Sequence, residues 1–145
     1  MAVRTARTAW NGGLTEGSGQ VELSSSRIGT YDVSWPRRTS EAADGVTSPE
    51  ELVAAAHSSC FAMQLSHLLE EAGGTPQSLE VTADITFGPD PAGGFHLEEI
   101  ALRVVGEVEG LDAAAFDKVA QEAKATCPVS KALTGVPITL QASLA

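Results

Sequence analysis

SPEELVAAAHSSCFAMQLSHLLEEAGG, residues 48–74, decides the fold. Ser48 is placed to cap a helix and Pro49 suits its first position. Glu51 falls at the third, which completes a capping box. The helix should run to about Glu71, where Gly73-Gly74 supplies the stop. From Leu52 to Leu69 the segment has almost no charge, and apolar or small residues occur on every side. A helix apolar all round is buried, either by its own fold or by a partner. At its middle sits a thiol, Cys60, beside the small residues Ala56, Ser58 and Ser59.

On the N-terminal side, residues 1–35 read as strands and turns. Gln20-Val21-Glu22-Leu23 alternates, and Tyr31, Val33 and Trp35 alternate with Asp32 and Ser34. Gly12-Gly13, Gly17-Ser18-Gly19 and Ile28-Gly29 mark bends. This pattern predicts an antiparallel β-meander, joined to the helix by a polar connection over residues 36–47. On the C-terminal side, Val81, Ala83, Ile85 and Phe87 alternate with polar residues in a half-buried strand. A long hairpin loop, Gly88 to Gly94, leads to a partner strand through Ile100, Leu102, Val104 and Val108. A second helix follows Gly110-Leu111-Asp112 and runs to about Thr126. Cys127-Pro128 breaks it, a short turn restarts over Val129 to Leu133, and Pro137 to Leu144 forms a final strand. The order is β-meander, long Cys-bearing helix, β-hairpin, second helix, final strand. Helices segregated from antiparallel strands predict an α+β fold. The 145 residues suit a single domain spanning 1–145.

The formal net charge is −10. That argues against nucleic acid, whose phosphates call for clustered Lys and Arg, and against anionic membrane surfaces. No apolar run reaches the length of a transmembrane helix. The N-terminal residues MAVRTARTAWNGG lack the apolar core of a secretory signal. The expectation is a soluble, cytoplasmic protein. Two cysteines in a reducing compartment are catalytic, redox-active or simply buried thiols.

Cys60 at mid-helix gains nothing from the helix N-terminus, so an activated thiolate there needs a nearby cation. The alternative is a small buried residue. His57 lies three residues earlier on the same face. Cys127, with Pro128 at the first position of the next helical turn, falls at an N-cap, where free N–H groups favour a thiolate. Its alternative is a buried cap residue. His57, Cys60, His67 and Cys127 are too scattered for a metal site: His67 lies about 10 Å along the axis from Cys60, and no C-x-x-C or H-x-x-x-H is present. Arg37 and Arg38 form the only adjacent basic pair. Glu51 is occupied by the capping box, which leaves Glu50 freer to pair with an arginine. On a straight helix Glu50 stands about 15 Å from Cys60 along the axis. A site using both needs a bent helix start or a second subunit.

The run Thr47-Ser48-Pro49-Glu50-Glu51-Leu52-Val53-Ala54-Ala55-Ala56-His57-Ser58-Ser59-Cys60-Phe61 closely resembles the signature of the OsmC/Ohr family, the osmotically inducible and organic-hydroperoxide-resistance proteins. Cys127-Pro128-Val129-Ser130 resembles that family's second cysteine segment. The resemblance covers nearly the whole chain, and His57 in place of a bulky aromatic is more similar to the OsmC branch. It implies an OsmC-like fold, an intertwined homodimer with active sites at the subunit interface, and a thiol-dependent peroxidase acting on organic hydroperoxides. Cys60 would be the peroxidatic thiolate and Cys127 the resolving cysteine that closes a disulfide with it. Arg38 would activate the thiol and Glu50 would hold the guanidinium, with Arg37 the rival arginine. No cofactor or metal is implied. The implied partners are the hydroperoxide and a dithiol reductant, typically a lipoylated protein. Two other readings use the same cysteines: a redox sensor or stress-binding protein with poor turnover, and a structural dimer with buried thiols.

Overall fold

The computed structural model describes residues 1–145. The elements are β1 (Arg7–Asn11), β2 (Ser18–Glu22), β3 (Thr30–Val33), α1 (Trp35–Arg38), α2 (Pro49–Glu71), β4 (Thr75–Pro89), β5 (Phe95–Glu109), α3 (Ala113–Thr126), α4 (Pro128–Ala132) and β6 (Ile138–Leu144). The fold is α+β, with two three-stranded sheets, β1-β2-β3 and β4-β5-β6. The chain divides into two compact units, Met1–Leu52 and Val53–Ala145. No helix is long and apolar enough to cross a membrane.

The first unit is the expected antiparallel meander, β1 on β2 and β2 on β3. It buries little of its strands: in β2 only Gly19 and Val21 are buried, and every residue of β1 is exposed. The polar connection proves partly helical. Trp35 leaves the strand and opens α1, capped by Ser34, whose hydroxyl accepts the Arg37 N–H at 3.4 Å. Proline at the start of α1 supplies the helical φ in advance. Thr47 returns beside Val33 in a parallel bridge.

Helix α2 starts and stops where the sequence predicts. Ser48 Oγ accepts the Glu51 N–H at 3.2 Å. The return half of the capping box is absent, because the Glu51 carboxylate takes the Thr47 hydroxyl at 2.9 Å instead. At the other end Gly73, with φ +86°, donates to Glu70 O at 3.0 Å, and Gly74 donates to Leu69 O at 2.8 Å. These two bonds form a Schellman close, for which the left-handed Gly73 is required.

The core lies in the second unit. Helix α2 buries one stripe, His57, Phe61, Leu65 and Leu69, each one turn from the next. It packs with Phe116, Val119, Ala120 and Ala123 of α3 and with Ile100, Leu102 and Val104 of β5. Both helices cover one face of the β4-β5-β6 sheet, and the other face shows Thr82, Asp84, Arg103 and Glu107 to solvent. The remaining faces of α2 are uncovered: Ala55, Ala56 and Ser59 are exposed, and Met63 is 69 % exposed.

One feature differs from expectation, and a second adds a direction the sequence pattern does not carry. The hairpin strands are longer than the alternation predicts, and the loop shrinks to 90–94. Gly88 stays in the ladder opposite His96, and a register shift at Thr86/Phe87 breaks the alternation there. The final strand pairs parallel to β5, Ile100 opposite Ile138 through Gly106 opposite Leu144. A parallel neighbour needs a crossover, which α3 and α4 provide.

Candidate active site

The two cysteines, with 66 residues between them in sequence, come together in the core of the second unit. Both are free thiols, Cys127 fully buried and Cys60 part-exposed and packed against the core cluster that holds Cys127, close enough for each to perturb the other's titration. Cys60 presents from the middle of α2, and Cys127 is the C-cap of α3 and the N-cap of α4. Pro128 causes this break, since its ring cannot continue α3 yet suits the first position of α4.

Two cross-ties fix the meeting. One turn before Cys60, His57 Nε2 lies 2.7 Å from Ser130 Oγ. One turn after it, the Gln64 side-chain amide donates to Thr126 Oγ1 at 3.0 Å. Residues 57, 60 and 64 thus face 130, 127 and 126 in antiparallel order. His57, which shares a helix face with Cys60 in the sequence reading, turns its polar end to Ser130.

The two thiols differ electrostatically. Burial pushes the Cys60 thiol above its ordinary value; the Val129 N–H opposes this, and Cys127 adds to the rise. Burial also acts against a Cys127 thiolate, but it is outweighed: the Ser130 N–H, Cys60, the Ser130 hydroxyl and the Val129 N–H together hold this thiol below its ordinary value. No N–H of the first turn of α4 closes a regular cap bond onto the sulfur, so these groups act as nearby dipoles.

The two adjacent arginines take different partners. Arg37 pairs with Asp44 on the exposed loop. Arg38 grips Glu50 with a fork: Nε donates to Oε1 at 3.1 Å and to Oε2 at 3.2 Å, and Nη2 donates to Oε1 at 2.7 Å. The Arg38 guanidinium also sits 5.9 Å from the centre of the Trp35 ring, a cation–π contact. The Glu50 side chain is only 11 % exposed, so this is a largely desolvated pair of fixed geometry.

Of the remaining histidines, His67 Nε2 lies 3.5 Å from Glu71 and His96 Nδ1 lies 3.8 Å from Asp90. Sequence reasoning gave Ser130 no role. The available signal was its place three residues after an N-cap cysteine, where a polar side chain shares the cap's surroundings.

The OsmC-like protein family model matches residues 42–141. The chain belongs to this family. Over 124 residues it is 43 % identical to peroxiredoxin OsmC of Escherichia coli (strain K12), spanning 86 % of this chain and 85 % of that protein. Among solved structures it is similar to an organic hydroperoxide resistance protein from Elizabethkingia anophelis, with TM-score 0.77 and 26 % identity over 99 % of both chains. It is likewise similar to the organic hydroperoxide resistance protein OhrB of Bacillus subtilis, with TM-score 0.75 and 26 % identity over 96 % of this chain and 98 % of that one. The family read from the motif around Cys60 is therefore the family of the whole fold.

Proposed function

We propose that this chain is a cysteine-based peroxidase that reduces organic hydroperoxides to alcohols through Cys60 and Cys127. The observation that carries this reading is the pair of free thiols packed into one cluster, one part-exposed and one buried. A hydroperoxide can reach Cys60, whereas Cys127 is sheltered and positioned to attack what Cys60 becomes. The Cys60 thiolate attacks the distal peroxide oxygen, the O–O bond breaks, and the alkoxide leaves and takes a proton as alcohol. Cys60 is then a sulfenic acid. Cys127 attacks its sulfur, the S–S bond forms, the S–O bond breaks and water leaves. A dithiol, in our reading a lipoyl group on a partner protein, restores both thiols by exchange and is itself oxidised to a cyclic disulfide. A reducing cytoplasm would keep the resting pair as thiols.

Within one chain burial disfavours a Cys60 thiolate, so its activation falls to a cation. We assign this to Arg38, aimed by Glu50 and delivered across the interface of a homodimer. Two features support the dimer: the uncovered apolar face of α2 around Met63, and a first unit whose strands bury little by themselves. A second reading, a slow redox sensor, draws support from the same raised Cys60 thiol.

The test is steady-state turnover of cumene or t-butyl hydroperoxide with dihydrolipoamide as reductant. Cys60→Ser abolishes turnover, and Cys127→Ser is oxidised once but not recycled. Undiminished turnover by Cys60→Ser would overturn the peroxidase reading. A rate no higher with dihydrolipoamide than with a simple free dithiol would favour the sensor.

A further inference from the structure

His57 is fully buried, its Nε2 lies 2.7 Å from Ser130 Oγ, and its Nδ1 is buried without a partner. Those facts favour one tautomer. A neutral imidazole has one N–H and one bare lone pair. A proton on Nδ1 would orphan a buried N–H, the rarer and more costly arrangement. A proton on Nε2 leaves only a lone pair unmet. Burial keeps the ring neutral by lowering its pKa from the ordinary 6.5. Nε2–H therefore donates to Ser130 Oγ. With its oxygen engaged as acceptor, Ser130 has its own hydrogen to give, and its neighbour is Cys127, the N-cap of the same short helix, whose anion the hydroxyl favours.

We infer that His57 is a positioning residue for disulfide closure, aiming the Ser130 hydroxyl at Cys127 so that this thiol enters the step as its anion. The inference rests on the peroxidase reading. In the step, Cys127 gives up its proton, its sulfur bonds to the sulfur of the Cys60 sulfenic acid, the S–O bond breaks, and the departing hydroxide leaves protonated as water. No oxidant or reductant beyond the sulfenic acid is used.

The groups around Cys127 leave few rivals. From α2, Cys60 meets it directly and His57 acts through Ser130. On α3, Lys124 reaches to Ile138 O at 3.4 Å and Glu122 is exposed. On α4, Lys131 is exposed, and the β5 residues in the core around Cys127, Ile100, Leu102 and Val104, do not titrate.

The test is the pH dependence of closure after one equivalent of cumene hydroperoxide, followed by loss of dimedone-trappable sulfenic acid. Ser130→Ala and His57→Leu should raise the closure midpoint by about one pH unit, the effect of losing a hydrogen bond to an anion. Below both midpoints closure should slow about three- to fourfold, because a tenfold smaller thiolate fraction is partly offset by a more basic, more nucleophilic sulfur. Above both midpoints the variants should close as fast as wild type or faster. His57→Gln, whose amide can reach the Nε2 position, should restore the midpoint. A merely structural role predicts slowing at every pH, and that result overturns the inference, as does an unmoved midpoint in Ser130→Ala. Should His57→Leu fail to fold, Ser130→Ala, which removes one buried oxygen, decides alone. If wild-type protein forms no Cys60–Cys127 disulfide, the peroxidase reading fails instead, and the two failures are distinct.

Discussion

Under the proposed function, replacing Glu50 with glutamine tests whether Arg38 would act as a bare charge or as an aimed one. The two models differ in sign. If only the positive potential at Cys60 counts, neutralising Glu50 removes an opposing charge, and peroxidase activity rises. If Arg38 must be held, activity falls. The structure favours holding: three N–H···O contacts of 2.7–3.2 Å join the pair, and the side chains are 30 % and 11 % exposed. Glutamine keeps one acceptor oxygen but loses the charge and the second acceptor. The loss is about one charge-assisted hydrogen bond, roughly 2 kcal/mol. If that positioning is realised only in the transition state, kcat/KM for cumene hydroperoxide falls about 30-fold. The assay is steady-state turnover with excess dithiol, beside a thermal melt to show that the fold persists. An equal or higher kcat/KM in a folded Glu50→Gln protein would refute the reasoning and return Arg38 to a simple electrostatic role.

Three further outcomes follow from the packing and burial. Because His57 is held neutral with its pKa lowered, the unfolded chain takes up its proton first as pH falls below about 6.5, so stability declines from there by up to about 1.4 kcal/mol per pH unit until the folded ring titrates. Urea melts between pH 7.5 and 5 should show this slope in wild type and a flatter one in His57→Gln; equal slopes would count against a neutral buried ring. Gly106→Ala would set a Cβ 2.8 and 2.9 Å from the buried Phe116 ring and 3.1 Å from Leu79, costing about 1–3 kcal/mol in the same melts, and a neutral result would mean that the ring yields. Met63→Glu on the uncovered face of α2 should convert a dimer to a monomer in sedimentation and lower turnover with it. A fully active Met63→Glu monomer would remove the case for a shared site.

The elements that the sequence specifies locally were legible. Ser48 and Gly73 bracket α2, Asp112 caps α3 by accepting the Ala115 N–H at 2.8 Å, and Pro128 sets the break at Cys127. Features set by distant partners were not. Residues 138–144 alternate in the same way whether the strand runs parallel or antiparallel, so nothing in the pattern gave the direction of β6. Two carboxylates, seven and twelve residues away from their arginines, were open to Arg37 and Arg38, and only the fold assigns them. The His57–Ser130 contact spans 73 residues and leaves no local mark. The small residues beside Cys60 did point to a sulfur with access, and the half-closed capping box shows why Glu51 and Glu50 take separate partners.

The long separation of the two thiols also has a consequence for the folded state. A disulfide between Cys60 and Cys127 would enclose the 66 residues that hold β4, β5 and all of α3. In the chain-entropy picture, closing a loop of that size removes about 4 kcal/mol of disorder from the unfolded chain. Oxidation by substrate would thus harden the fold, and reduction would loosen it again. Resistance to heat or protease would then report the redox state of the molecule, and the reductant would have to work against the same free energy with which the native structure favours the closed bond.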